Sequence, residues 1–222
     1  MSDLTLVIGN KAYSSWSLRP WLLLREAGIA FKEIRIPLYT PESSKRIREH
    51  SPSGRVPALI DGDTKLWDSL AICEYVNERF PQTRGWPEAL AARAVARSVA
   101  AEMHSGFVEV RMELPMNVRG RRSGVTPSPA ARIGIDRIVE IWRDCRERFG
   151  AGGSFLFGRF GIADAMYAPV VTRFATYGIE LTGAAREYAA AVQALPSLQD
   201  WIQAARAESE VITNSERGTP LA

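Results

Sequence analysis

The stretch from Ser53 to Val76 constrains the fold of this chain more than any other part of its 222 residues. Val56 to Ile60 is a short apolar run that begins with a Val-Pro pair, and Thr64 to Leu66 follows it after an Asp-Gly turn signal. The two runs therefore predict a β-hairpin. From Ser69 onward the apolar residues recur at helical spacing, so the hairpin leads directly into a helix that starts near Ser69.

The start of this helix offers a site for a small zwitterion. Ser69 would place a hydroxyl, backbone N–H groups and the positive end of the helix dipole beside an anion, and Asp68 would place a carboxylate beside a cation. A purely structural alternative stays open, in which Ser69 only caps the helix and Asp68 only complements its dipole.

The residues before the hairpin predict a parallel strand-helix-strand unit. Leu4 to Ile8 is an aliphatic run that reads as a buried central strand, and Phe31 to Leu38 alternates charged and aliphatic residues. Between them lies a helix with Ser17 as its expected cap and Pro20 in its first turn. A unit of this length implies parallel strands. Pro41 to Glu49 is a polar, basic helix or an irregular segment, and with it as a helix the order becomes β-α-β-α-β-β-α.

This order is the α/β thioredoxin-like arrangement, in which a ligand is expected beyond the carboxyl ends of the parallel strands. The Val-Pro pair, the hairpin and the acid-Ser helix start together resemble the glutathione-binding half of glutathione transferases. The resemblance implies a cis Val56-Pro57 bond, pairing of the Val56 backbone with the cysteinyl part of glutathione, and a γ-glutamyl end held by Asp68 and Ser69. The glutathione-binding residues that it implies are Arg55, Val56, Pro57, Asp68 and Ser69.

Two serines lie at the expected start of the first helix. A hydroxyl there can donate a hydrogen bond to a thiolate, and the helix dipole adds to this effect, so Ser14 or Ser15 could lower the pKa of a bound thiol. A shift of two pKa units requires about 2.7 kcal/mol, which one charge-assisted hydrogen bond and the dipole can supply. In the alternative, the Ser-Ser pair only shapes a loop.

The segment Ser14 to Arg19 resembles the Ser-Ser-Cys-x-x-Arg pattern of the zeta class of glutathione transferases, with Trp16 in place of the cysteine. Ser14 is the first choice as the activating hydroxyl. Ser15 is the second choice, because its spacing to Arg19 resembles that of the related serine classes. The resemblance implies a transferase, of the kind that serves detoxification, in which the glutathione thiolate attacks a small electrophile.

Two alternative functions stay open. A glutathione-dependent cis-trans isomerase of the maleylacetoacetate type is one, although the cysteine that Trp16 replaces lies beside the bound thiol in that class. A binding or regulatory module that keeps the fold without catalysis is the other; the retained serines and the Asp68-Ser69 pair argue against it.

The second half of the chain predicts helices only. A break rich in Pro and Gly divides a thioredoxin-like domain, residues 1–81, from an all-α domain, residues 88–222, with residues 82–87 as the linker. The expected helices run from 88 to 114, 130 to 149, 162 to 176, 183 to 195 and 196 to 209. The basic loop from Met116 to Pro129 is assigned to solvent or, in the alternative, to the steering of anionic substrates. Asp164 is expected to reach back to the start of its helix and serve folding.

The second-substrate pocket of this fold lies between the first helix and the start of the helical domain. Its candidate residues, by position, are Tyr13, Trp16, His104, Phe107, Arg111 and Arg173. An arginine in the pocket would favour carboxylate-bearing substrates or stabilise developing negative charge. In the alternative, Arg111 and Arg173 pair with neighbouring glutamates, and His104 is an ordinary polar residue on a helix face.

Composition excludes several other classes of protein. A net charge of +3 with a pI near 9.0 is spread along the chain, which gives little support to nucleic-acid binding. Cys73 and Cys145 are far apart, without a Cys-x-x-Cys motif or a His/Cys cluster, so both are expected to be reduced and structural and no metal site is expected. No apolar run approaches the ~20 residues of a membrane span, and the start of the chain lacks a basic leader. We expect a cytoplasmic protein, and the family resemblance implies a homodimer.

Overall fold

The computed structural model describes residues 4–221; the other residues included in the predicted domain bounds, 1–3 and 222, lie outside the described part. Residues 4–80 form the predicted β-α-β-α-β-β-α order, which confirms the thioredoxin-like fold. Its elements are β1 (Thr5–Ile8), α1 (Ser15–Glu26), β2 (Lys32–Arg35), α2 (Ser43–His50), β3 (Ala58–Asp61), β4 (Thr64–Trp67) and α3 (Ser69–Arg79).

The four strands form one mixed sheet in the order β2-β1-β3-β4. β1 is parallel to β2 and antiparallel to β3, and β3 and β4 form the predicted hairpin. Leu6, Val7 and Ile8 are fully buried, as expected of a central strand. The strands are shorter than the apolar runs suggested: β3 begins only at Ala58, so Val56 and Pro57 lie outside the ladder.

The helical domain follows, and α1 joins the two domains because it packs on both α3 and α7. The helices of this domain are α4 (Leu90–Ser105), α5 (Val108–Glu113), α6 (Pro129–Phe149), α7 (Ile162–Tyr177), α8 (Gly183–Gln193) and α9 (Pro196–Arg206). A two-residue pair of strands that sequence analysis did not predict, β5 (Arg122–Ser123) and β6 (Thr219–Pro220), ties the end of the described chain to the loop before α6.

α7 is the centre of the helical core, since nearly every one of its residues is buried. At its start, Asp164 accepts backbone hydrogen bonds from Gly161 at 2.9 Å and from Leu156 at 3.0 Å. The expected reach of Asp164 back to the helix start is confirmed. Burial raises the pKa of this carboxyl to about 7, although the two N–H donors oppose the shift.

The prediction of a single helix over residues 88–114 is wrong, because the helix is interrupted between α4 and α5. Phe107 has a positive φ of 60°, and the Arg111 guanidinium donates to the carbonyl oxygens of Met103, His104 and Gly106. These bonds satisfy carbonyls that a continuing helix would have paired with backbone N–H groups. The apolar spacing continues across the break, so it could not reveal it.

The assignment of the basic loop to solvent is also wrong for two of its arginines. Arg119 donates to the carbonyl oxygen of Glu210, and Arg122 forms an ion pair of 2.7 Å with Glu216 while its side chain is 10% exposed. The partners of these two arginines, Glu210 and Glu216, belong to the C-terminal segment and are far away in sequence. This loop is therefore part of the packing between the helical domain and its C-terminal segment.

Candidate functional site

A cleft of about 450 Å³ lies where α1, the hairpin and the end of α4 meet. The cis Val56-Pro57 bond, expected from the family resemblance, lies in its wall. All five predicted glutathione-binding residues line this cleft: Arg55, Val56, Pro57, Asp68 and Ser69. Its remaining lining residues are Trp16, Ser53, Trp67 and His104.

Asp68, not Ser69, is the N-cap of α3. One carboxylate oxygen, Oδ1, accepts from the N–H groups of Leu70 at 3.0 Å and Ala71 at 3.1 Å. The other oxygen, Oδ2, lies 3.1 Å from His104 Nε2. Asp68 has a φ of 76°, a conformation rare in residues other than glycine, and such conformations are found most often at functional sites. The structural alternative of a Ser69 cap is therefore wrong.

Ser69 is the first residue of α3, and its hydroxyl has an arginine partner. Arg19 Nη1 donates to Ser69 Oγ at 3.2 Å. Because the oxygen accepts this bond, the Ser69 O–H stays available to a ligand at the start of α3. The helix start therefore combines an O–H donor, the positive end of the helix dipole and, on Asp68, a carboxylate, as a zwitterion requires.

The serines at the start of α1 differ in their hydrogen bonds. Ser14 is the N-cap, and its hydroxyl donates to Ser17 Oγ at 2.7 Å, which also accepts from Gly9 N–H at 3.1 Å. Ser17 is thus inside the helix, and the prediction that it caps α1 is wrong. Ser15 Oγ accepts from Arg173 Nη2 at 3.2 Å. Both Ser14 and Ser15 are buried, next to Trp16 of the cleft wall.

The Trp16 ring packs against two arginines and a histidine. The guanidinium carbons of Arg19 and Arg111 lie 4.3 Å and 4.9 Å from the centroid of its ring, and the His104 ring meets it edge-on at 5.4 Å. The indole is still 36% exposed. It therefore forms an aromatic part of the cleft wall that packs against Arg19 and Arg111.

Arg19, Arg111 and Arg173 concentrate positive charge behind the cleft. Arg19 and Arg173 are almost fully buried, and Arg111 is partly buried. Burial, together with the charge of the other two arginines, lowers the pKa of Arg19 to about 9, and burial with the charge of Arg111 lowers that of Arg173 to about 10. Within residues 4–221 none of the three forms an ion pair within 4.0 Å, and each Nε is buried without a hydrogen-bond partner. The alternative that Arg111 and Arg173 pair with nearby glutamates is therefore wrong.

The predicted second-substrate residues are only partly brought together. Trp16 and His104 line the cleft, and Arg111 and Arg173 lie behind it. Tyr13 is buried and donates its hydroxyl to Glu216 at 2.6 Å, so the C-terminal segment covers it. Phe107 caps α5 and packs against the core. Neither of these two is among the residues that line the cleft, and their place in a second-substrate pocket stays a prediction.

Sequence reasoning missed three contributors to this site. Ser53 and Trp67 line the cleft, and Arg19 supports Ser69. The position of Trp67, at the end of the predicted hairpin and directly before the acid-Ser pair, was a signal that could have identified it. Arg19 was noted only for its spacing to Ser15, and nothing local in sequence indicates its contact with a residue 50 positions later.

Residues 4–221 contain neither a helix suited to a membrane nor a cluster suited to a metal ion. None of the helices there has the length and apolar character needed to cross a bilayer. The same part of the chain has no group of three or more His, Cys, Asp or Glu side chains placed to hold a metal ion. Cys73 and Cys145 are both free and buried, and burial raises the pKa of each thiol.

Comparison with known proteins places this architecture in one family. Residues 13–79 match the glutathione S-transferase N-terminal domain, and residues 88–204 match the glutathione S-transferase C-terminal domain. Glutathione S-transferase Z2 of Arabidopsis thaliana is 31% identical over 173 residues, which cover 72% of this chain and 74% of that protein. A stringent starvation protein A homolog of Pasteurella multocida is 24% identical over 164 residues, which cover 73% and 72% of the two chains.

A solved structure shares the same fold. The glutathione transferase homolog from Burkholderia GL BGR1, crystallised with bound glutathione, superposes with a TM-score of 0.68 at 23% identity and covers 93% of this chain and 100% of that one. Because both domain families match in order and together span most of the sequence, this chain belongs to the glutathione S-transferase family.

Proposed function

We propose that this protein is a glutathione transferase that binds glutathione in the cleft and uses its thiolate to attack a small electrophile. The observation that carries the proposal is the convergence, in one cleft, of the start of α3 with the segment before β3. Asp68 offers a carboxylate to an ammonium group, and Ser69 and the α3 N-terminus face an anion. Val56 lies just outside the ladder, where an extended peptide could pair with its backbone.

The charge of the site supports thiol activation. The thiolate form of glutathione carries one more negative charge than the thiol. Three arginines contact the first turn of α1, because Arg173 bonds to Ser15 and the guanidinium groups of Arg19 and Arg111 lie over the Trp16 ring. The positive end of the α1 dipole acts in the same direction. A seryl O–H at that helix start, Ser14 or Ser15, would donate to the thiolate directly.

Retention on immobilised glutathione and a Ser69 variant test this proposal. We expect the protein to bind the resin and to conjugate glutathione to members of a panel of chloro- and epoxide electrophiles. Ser69→Ala should weaken glutathione binding by about tenfold, which corresponds to ~1.4 kcal/mol for one hydrogen bond to a charged group. Failure of the unmodified protein to bind glutathione would reject the proposal.

The same panel separates the alternatives. Turnover of maleylacetoacetate without conjugation would favour the isomerase, although Trp16 fills the position of that class's cysteine. The chain is also similar to stringent starvation protein A homologs, whose names state no transferase activity, so the non-catalytic module stays the second alternative. Glutathione binding without turnover of either kind would favour the module.

We further propose a cytoplasmic homodimer that pairs across the first domain and the long helices. Leu90, at the start of α4, is 75% exposed, and Tyr39 in the first domain is 85% exposed. Large apolar side chains at such exposure are common at protein interfaces. Light scattering should give twice the mass of 24.6 kDa, and a monomer at micromolar concentration would count against the dimer.

A further inference from the structure

Resting on the proposed function, the structure assigns thiol activation to Ser15 in preference to Ser14, with Arg173 of the helical domain as the residue that positions the Ser15 hydroxyl. The sequence favoured Ser14 because the segment Ser14 to Arg19 resembles the Ser-Ser-Cys-x-x-Arg pattern. The hydrogen bonds of the two serines favour the other choice.

The Ser14 proton is already in use. Its O–H donates at 2.7 Å to Ser17 Oγ, a fully buried oxygen that also holds the N–H of Gly9 at the end of β1. For Ser14 to donate to a thiolate, this buried bond would have to break and Ser17 would lose a partner. The Ser14 hydroxyl therefore functions as part of the connection between β1 and α1.

The Ser15 proton is available. Ser15 Oγ accepts from Arg173 Nη2 at 3.2 Å, and an oxygen that accepts from a guanidinium directs its own O–H toward a different partner. The cation polarises the hydroxyl and makes it a stronger donor. Ser15 is also the first residue of α1, at the positive end of the helix dipole.

Arg173 is an unusual residue for a purely structural role. It is 5% exposed on α7, and its described polar contacts are Ser15 Oγ and the carbonyl oxygen of Pro169 at 3.4 Å, while Nε lacks a partner. Burying a cation without a carboxylate is strongly unfavourable. A thiolate that forms next to Ser15 would offset this unfavourable burial, because its negative charge would lie close to the Arg173 guanidinium.

The arrangement on Ser15 has a counterpart at the start of α3, where Ser69 lines the cleft. Arg19, also buried and without a carboxylate, donates to Ser69 Oγ at 3.2 Å. In both cases a buried guanidinium occupies a lone pair of a seryl oxygen and leaves the O–H for a ligand. Arg173 acts across the domain boundary, because α7 packs on α1 from the helical domain.

In this scheme glutathione loses its S–H proton to solvent on binding, and the resulting thiolate accepts a hydrogen bond from Ser15. The experiment measures the pKa of the bound thiol, by ultraviolet thiolate absorbance and by the acidic limb of kcat/KM against pH. Dissociation constants for glutathione are measured in parallel. The variants are Ser14→Ala, Ser15→Ala, Arg173→Met and Arg173→Lys, with the exposed Arg186→Met as the charge-matched control.

We expect Ser15→Ala to raise the pKa of the bound thiol by at least one unit, a roughly tenfold loss of thiolate below that pKa, and Ser14→Ala to raise it by much less. Arg173→Met should raise it by about one unit while glutathione affinity changes less than threefold, and the double variant should match Ser15→Ala alone. Arg173→Lys should recover part of the shift. The control should titrate like the unmodified protein.

Circular dichroism and thermal unfolding identify variants that fail to fold. If Arg173→Met is one of them, the thiol pKa of Arg173→Lys is compared with that of the unmodified protein instead. If Ser14→Ala causes the larger shift, or if Arg173→Met and Arg173→Lys leave the thiol pKa unchanged, the assignment is wrong although the protein still binds glutathione. If the unmodified protein does not bind glutathione, the proposed function itself fails.

Discussion

Asp68 allows its structural and its binding roles to be separated by two substitutions. Its Oδ1 caps α3 through two N–H groups, whereas its Oδ2 faces the cleft and His104. Asp68→Asn keeps an oxygen for the cap and suits the positive φ of 76°, but removes the charge. Asp68→Ala removes both the cap and the charge.

The expected magnitudes follow from these contacts. Asn should leave the free energy of unfolding within about 0.5 kcal/mol of the unmodified value, since Asn and Asp are equally good caps, and Ala should lower it by about 1–2 kcal/mol. A hydrogen bond between charged groups contributes about 1.5–3 kcal/mol. Because the Asp68 side chain is 43% exposed, the lower end applies, so both variants should weaken glutathione binding by about tenfold.

Urea unfolding and calorimetric titration with glutathione measure the two effects on the same samples. Ser98→Ala, an exposed position on α4, serves as the control for both. The reasoning would be refuted by an Asn variant that binds glutathione as tightly as the unmodified protein. It would equally be refuted if Asn destabilised α3 as much as Ala does.

Two further predictions concern carboxylates outside the cleft. Asp164 has a pKa raised to about 7 in the folded state, above its value when unfolded, so its contribution to stability is largest at low pH and is lost as the pH rises through 7. Between pH 5 and 8 the unmodified protein should lose about 2.5 kcal/mol relative to Asp164→Asn, measured by urea unfolding, and parallel pH profiles would contradict this. Glu208 accepts from the N–H groups of Lys11 at 2.7 Å and Ala12 at 3.1 Å, so Glu208→Ala should cost about 2 kcal/mol and expose the segment after α9 to protease, with Glu208→Gln less affected. Equal cleavage rates in all three proteins would show that Glu208 does not anchor the segment.

The fold could be predicted from sequence because its signals are local. The hairpin turn, the helical spacing after Ser69 and the aliphatic run of β1 each depend on residues within a few positions of one another. The same is true of Asp164 and the start of α7. The break at Phe107 escaped prediction because it depends on the Arg111 side chain taking carbonyls that the apolar pattern does not register.

The site could be predicted only in its outline. Asp68, Ser69 and Val56 were identified because they are close together in sequence and resemble a known pattern. The partners that decide their chemistry come from far away: Arg173 reaches Ser15 across 158 positions, and Glu216 reaches Tyr13 across 203. Such contacts depend on how the helical domain packs on α1, and no pattern of spacing within one segment encodes that packing.

The most direct test of the account is a crystal structure of this protein with glutathione. We predict the γ-glutamyl carboxylate at Ser69 and the start of α3, its ammonium at Asp68, the cysteinyl backbone along Val56, and the sulfur within hydrogen-bond distance of a seryl hydroxyl at the start of α1. Glutathione bound outside this cleft, or bound within it with its sulfur directed away from α1, would contradict the account.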